Sequence, residues 1–231
     1  MRKIFYALIV LVILAVGSYK VSFALFSDQA ESSNNTFVAA TSFPTPIPSL
    51  SPTPSVAPTP SPNPNIANHL VVNEVMFDPQ NANACGGEGD AEWIEIYNPT
   101  ISPVNLDTWL VGDTLFMDDL PNVSVPSGGF AVVVSNCSQT NFNSIWTLPI
   151  DTIFINLSGA LGNGLNNGGE HMRLLNGATL IDAMSYGSNA DAFNPSASGP
   201  VGDHSLERDP DGVDTNTAAD FVDRSSPAPG S

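Results

Sequence analysis

The stretch Glu170-His-Met-Arg-Leu-Leu-Asn-Gly-Ala-Thr-Leu-Ile-Asp-Ala-Met-Ser-Tyr186 holds two runs of alternating apolar and polar residues joined by Asn176-Gly177. Alternation puts successive side chains on opposite faces of a strand, and Asn-Gly tolerates the positive φ angles that a tight hairpin turn needs. The same phrase recurs outward from this hairpin. His69 to Val75, Asp90 to Asn98, Trp109 to Asp113, Phe130 to Ser135, Thr152 to Leu157 and Leu165 to Leu175 are strand-like, the later ones each bounded by Gly, Pro or Asn. No amphipathic helix of useful length separates them. The pattern predicts an all-β fold, an antiparallel two-sheet sandwich of the immunoglobulin-like kind, over residues 68–230. In Trp93 to Tyr97 both faces carry apolar groups, which suits a strand whose outer side is also partly covered.

Ahead of this domain the chain reads differently. Met1 to Val16 is a basic start followed by an apolar run, and Ser22-Phe23-Ala24 offers small residues for cleavage, so residues 1–24 read as a signal peptide. The other reading is an uncleaved membrane anchor, since Gly17 to Ala24 extends a run otherwise short of the roughly twenty residues that span a bilayer. Residues 25–43 are too few for a core. Residues 44–67 form a Pro/Ser/Thr-rich linker, with proline at nearly every second or third place from Pro44 to Pro64. Proline fixes φ and removes the amide donor, which predicts a disordered but extended spacer reaching about 65 Å at about 3.1 Å per residue.

Past residue 67 lie 21 acidic side chains against Arg173, Arg208 and Arg224, close to −18 beside −17 for the whole chain. Such a surface repels phosphate backbones and anionic headgroups, which excludes nucleic acid as a partner and leaves the membrane to the N-terminal segment alone. Cys85 and Cys137 both follow strands, at positions where loops meet, and the predicted export places them in a compartment that oxidises thiols. A disulfide between them is expected, with two free thiols as the alternative.

Several of these elements are shared with one family. Val72-Asn73-Glu74-Val75-Met76, Glu92-Trp93-Ile94-Glu95-Ile96-Tyr97-Asn98-Pro99, Val104-Asn105-Leu106-Asp107-Thr108-Trp109, Pro126-Ser127-Gly128-Gly129-Phe130, Ile181-Asp182-Ala183-Met184-Ser185-Tyr186-Gly187, Ser205-Leu206-Glu207-Arg208 and Ser226-Pro227-Ala228-Pro229-Gly230 occur in the order seen in the lamin tail domain. The chain resembles that family's exported bacterial and archaeal members over residues 69–230. Leu106-Asp107-Thr108-Trp109 departs from it where Gly commonly precedes Trp, as does Met184 where Val is usual. The resemblance implies an immunoglobulin-like sandwich acting as an accessory, non-enzymatic piece of secreted and surface proteins. No coiled-coil heptad accompanies it, which excludes a filament role like that of nuclear lamins. Residues 25–43 resemble the start of the exported TasA and camelysin proteins through Phe26-Ser27-Asp28 and Asn35-Thr36-Phe37, with Ala40 where Gly is usual.

For chemistry the sequence offers little. Catalysis needs a base, a nucleophile and a group that orients them, and His69, His171 and His204 stand apart from any such set. Asp209-Pro-Asp-Gly-Val-Asp-Thr-Asn-Thr-Ala-Ala-Asp220 spaces oxygen side chains around a glycine as calcium loops do, which nominates Asp209, Asp211, Asp214 and Asp220 as metal ligands. The other reading is a turn-rich connection returning to a last strand at Phe221-Val222. Glu88, Asp90 and Glu92 read as a solvated loop, and Trp146 as the aromatic best placed for exposed use against a glycan. The expected role is an exported, surface-displayed binding or structural module without cofactor, engaging an extracellular protein or glycan. The alternatives are an accessory domain of a secreted hydrolase system and a calcium-dependent adhesion module.

Overall fold

In a computed structural model of the chain, residues 65–231 are described. The signal or anchor segment, the 25–43 stretch and nearly all of the linker lie outside them.

The predicted hairpin forms β9 (His171–Asn176) and β10 (Thr179–Ser185), but its two-residue loop is Gly177-Ala178, one step later than expected. Asn176 stays in the ladder because it pairs with Trp109 of β4 (Trp109–Gly112) and its side chain accepts a 2.7 Å bond from the Thr108 hydroxyl. Gly177 takes the left-handed conformation at φ 57°. With β5 (Met117–Asp119) these strands make a sheet in the order β10-β9-β4-β5.

The facing sheet has six strands. β1 (Val71–Met76) lies between β2 (Trp93–Tyr97) and β11 (Ser205–Arg208). β7 (Phe130–Val134) continues beyond β2 and β12 (Phe221–Arg224) beyond β11. β8 (Ile153–Asn156) completes the order β12-β11-β1-β2-β7-β8, and it pairs with β7 in parallel. A small ladder, β3 (Val104–Asn105) with β6 (Ser124–Val125), stands apart.

Parity sorts the side chains. Ile94, Ile96, Val75, Val133 and Leu206 point inward and meet Val111, Met172, Leu174 and Met184 of the other sheet in one buried core, the defining feature of a sandwich. Trp93 and Val134 point outward, where they are nonetheless buried. Two short helices, α1 (Glu88–Ala91) and α2 (Gln139–Phe142), and the loops around them lay a second apolar layer over that face. Ser138 caps α2 by accepting the Asn141 amide. Trp93 meets Phe142 and Trp146 edge-on at centroid distances of 6.2 and 5.8 Å. Burying a tryptophan's 150–250 Å² contributes on the order of 5 kcal/mol, so this outer layer matters to stability.

Two expectations are corrected here. Trp146 is only 9% exposed and packs in the outer layer, because the turn after α2 folds it onto Trp93. Glu92 is buried at 3% and accepts the Leu165 amide at 3.0 Å, since the long connection of residues 157–170 closes over it.

Candidate functional site

The most connected polar group is Arg208. β11 alternates Leu206 inward and Glu207 outward, so Arg208 must point into the sandwich, where it is fully buried. A buried guanidinium requires partners for its five donors and a counter-charge. Nε donates to the Val72 carbonyl at 2.9 Å, and Nη2 holds both Asp182 carboxylate oxygens at 3.0 and 3.1 Å. Nη1 donates to the Val213 carbonyl and reaches Asp214 at 3.4 Å and Asp220 at 3.3 Å. The Phe221 ring lies 4.6 Å from Cζ. Asp182 reaches this position through a bulge in β10 between Leu180 and Asp182, and it also accepts the Val72 amide at 2.8 Å. Burial pushes its carboxyl above the usual range, while Arg208 and the backbone amides pull the other way.

The four aspartates offered to calcium are thereby placed. Asp214 and Asp220 face Arg208, Asp209 faces Arg224 at 3.2 Å, and Asp211 accepts from Asn73 at 3.0 Å. Asp220 also accepts the Thr215 amide and hydroxyl and closes a capping box with Thr217 around the single turn Ala218–Asp220. Two of the four thus share the Arg208 guanidinium, while Asp209 and Asp211 point to other partners. Among the described residues no group of three or more His, Cys, Asp or Glu is arranged to hold a metal ion.

The disulfide is present: Cys85 and Cys137 are joined, with Cα atoms 4.8 Å apart, and tie the loop before α1 to the loop before α2. The histidines do not converge. His69 neighbours Asp214 at 3.6 Å, His171 lies 3.2 Å from the Thr114 hydroxyl, and His204 sits 2.7 Å from Asp223. Ser205, next to His204 in sequence, donates instead to Glu74 on the outer face. Neighbours along a strand point to opposite sides, so the pair cannot act together.

Sequence comparison adds the deciding observation: the pattern of the Lamin Tail Domain family matches residues 63–188, more than half of the chain. The chain belongs to the lamin tail domain family. No curated protein matches it. Lamin tail domains are β-sandwich modules and are not normally enzymes.

This lamin tail domain carries a second polar feature, on its outer sheet face. The register sets Glu74 opposite both Glu95 of β2 and Glu207 of β11, a row of three glutamates across adjacent strands. The C-terminal segment lies over this row. The Gly230 amide donates to Glu95 and the Ala228 amide to Glu74, while Asn73 holds the other Glu95 oxygen at 2.9 Å and caps Gly212. Glu207 pairs with Arg224. Glu74 and Glu95 are at most 1% exposed, and Arg224, which pairs with Glu207, favours the Glu74 carboxylate only weakly. Burial, reinforced by Glu207, raises the Glu74 carboxyl to about 7. Burial and then Glu74 hold Glu95 well above the carboxylate range, and burial takes Glu92 to about 8. Glu74 thus titrates around neutral pH, and Glu92, which lies beside Leu165 and not in this row, stays largely protonated there.

Sequence reading missed both features. Arg208 had a signal: it is one of only three cations past residue 67 and shares strand parity with the apolar Leu206. The glutamate row had none, because facing residues lie 21 and 133 positions apart and depend on strand order.

Proposed function

We propose that this protein is an exported, cell-surface-displayed lamin tail domain of the bacterial or archaeal type, serving as a non-enzymatic binding or structural module. Export rests on the signal-like residues 1–24 and on the match of residues 25–43 to TasA and camelysin starts. Display rests on the Pro-rich residues 44–67, which would hold the domain away from its attachment. The observation that carries the reading is the Cys85–Cys137 disulfide, because such bonds persist in oxidising compartments and are rare where glutathione keeps thiols reduced. The partner is an extracellular protein or glycan, since the acidic surface disfavours nucleic acid and anionic lipid.

The test is protease treatment of intact source cells with parallel thiol alkylation. Surface display predicts loss of the domain to external protease and no alkylation of Cys85 or Cys137 before reduction. Recovery from the cytoplasm with both thiols alkylated refutes it.

A further inference from the structure

After β12 the chain turns back across the outer face of the six-stranded sheet as Ser225-Ser-Pro-Ala-Pro-Gly-Ser231, a strap whose Pro229 and Gly230 are buried. Pro227 and Pro229 have no amide donor, so the strap cannot join the sheet as a strand. It holds on through the Ala228 amide, given to Glu74, and the Gly230 amide, given to Glu95. Gly230 has φ 89° and lies against Pro149 and Thr152, where a Cβ would collide, so only glycine fits. The anchors that receive the strap's amides are thus two carboxyl groups buried beneath it.

Those carboxyls are poorly placed to carry charge. Glu74 of β1 and Glu95 of β2 face each other across the ladder, Glu207 of β11 adds a carboxylate beside Glu74, and Asp211 of the next loop adds one toward Glu95. Arg224 of β12 is engaged with Glu207 and Asp209, and the strap brings no charged side chain. Ser205 and Asn73 contribute uncharged donors only. With the strap closed, a proton on each carboxyl removes the repulsion. Lifting the strap lets water reach both groups and returns them toward ordinary carboxylate behaviour. Ionisation and lifting therefore favour one another, because burial outweighs the two amide bonds that prefer the charged form. We propose that residues 225–231 form a pH-operated strap, closed over Glu74 and Glu95 in acid and lifting above neutral pH to expose an acidic face of the sheet.

A carboxyl raised in the closed form stabilises closure fully below its ordinary value and loses that contribution as pH climbs through the raised one. With Glu74 at about 7 when closed and 4.5 as its ordinary value, the opening constant rises by up to about seventyfold between pH 5 and 8 from this group alone. The test is amide hydrogen exchange on the full chain, with protection factors for Ala228 and Gly230 measured at both pH values. They are expected to fall by about tenfold or more and, at pH 8, to lie at least about tenfold below those of β7, which reports opening of the whole sandwich. Glu74→Gln keeps an acceptor for the Ala228 amide but cannot ionise, and Glu95→Gln does the same for Gly230, so each is expected to shrink the fall. A smaller fall in the parent chain overturns the proposal whatever the variants do. Strap protection factors equal to those of β7 mean unfolding of the domain and also overturn it, as does a fall unchanged in both variants.

Discussion

Replacing Arg208 with methionine keeps most of the side chain's volume but removes the charge that Asp182, Asp214 and Asp220 face. It also leaves the carbonyls of Val72 and Val213 without their donor inside the sandwich. Removing one partner of a buried charge network costs about 3–5 kcal/mol, because the remaining charges stay desolvated. In a domain of this size each kcal/mol moves the melting temperature by about 2–4 °C, so Arg208→Met is expected to melt roughly 10 °C lower at pH 7. The deficit has a pH signature. Burial already raises the Asp182 carboxyl and Arg208 opposes that rise, so without the guanidinium Asp182 titrates higher still in the folded chain, and the variant loses stability more steeply than the parent as pH rises above the ordinary carboxylate range. Thermal unfolding followed by circular dichroism at pH 4.5 and 7.5 should show a larger gap between variant and parent at the higher pH. Adding Asp182→Asn to the variant should recover part of the loss, since it removes one orphaned charge. A gap under about 1 kcal/mol, or one identical at both pH values, would falsify the assignment of Arg208 as the counter-ion of this loop.

Reducing the Cys85–Cys137 bond frees a loop with a sequence separation of 52, which lowers stability by about 4 kcal/mol in the chain-entropy model; equal melting with and without reductant contradicts this. Glu74, with its folded pKa raised to about 7, contributes stability that is whole below the unfolded value of about 4.5 and lost as pH climbs toward 7 and beyond. Glu92 acts likewise up to about 8. The parent should therefore weaken between pH 5 and 8 by on the order of 3 kcal/mol per buried acid, and Glu74→Gln should flatten part of that decline; a variant with the parent's slope counts against it. Millimolar calcium should leave the melting temperature unchanged, because Asp209, Asp214 and Asp220 already face arginines. A rise of several degrees would return the loop to the metal.

Local signals explain what could be read in the sequence. Alternation and Asn-Gly identified β9 and β10, and the apolar outward face of Trp93 and Tyr97 announced a covered sheet. The expected strand from Leu165 begins only at His171, because Glu92 holds the Leu165 amide in a loop. Oxygen spacing in residues 209–220 carried no sign that Asp214 and Asp220 face Arg208, which enters from the adjoining strand by parity. The parallel pairing of β7 with β8 and the Glu95-Glu74-Glu207 row are properties of strand order, which alternation within one segment does not encode. Trp146 misled for a similar reason: a tryptophan outside the strands is covered here by a layer assembled from two distant loops.

The position of β1 has a mechanical consequence. It is the first strand after the proline-rich stretch, and it is hydrogen-bonded along both edges, to β2 and β11. Tension arriving from the N-terminal side would first peel the single Ile66–Val213 bridge and then meet β1 lengthwise, loading two ladders in shear together. A strand at the rim would unzip one bond at a time, whereas this one must slide against both neighbours at once. The domain is thus built to withstand pulling from that end.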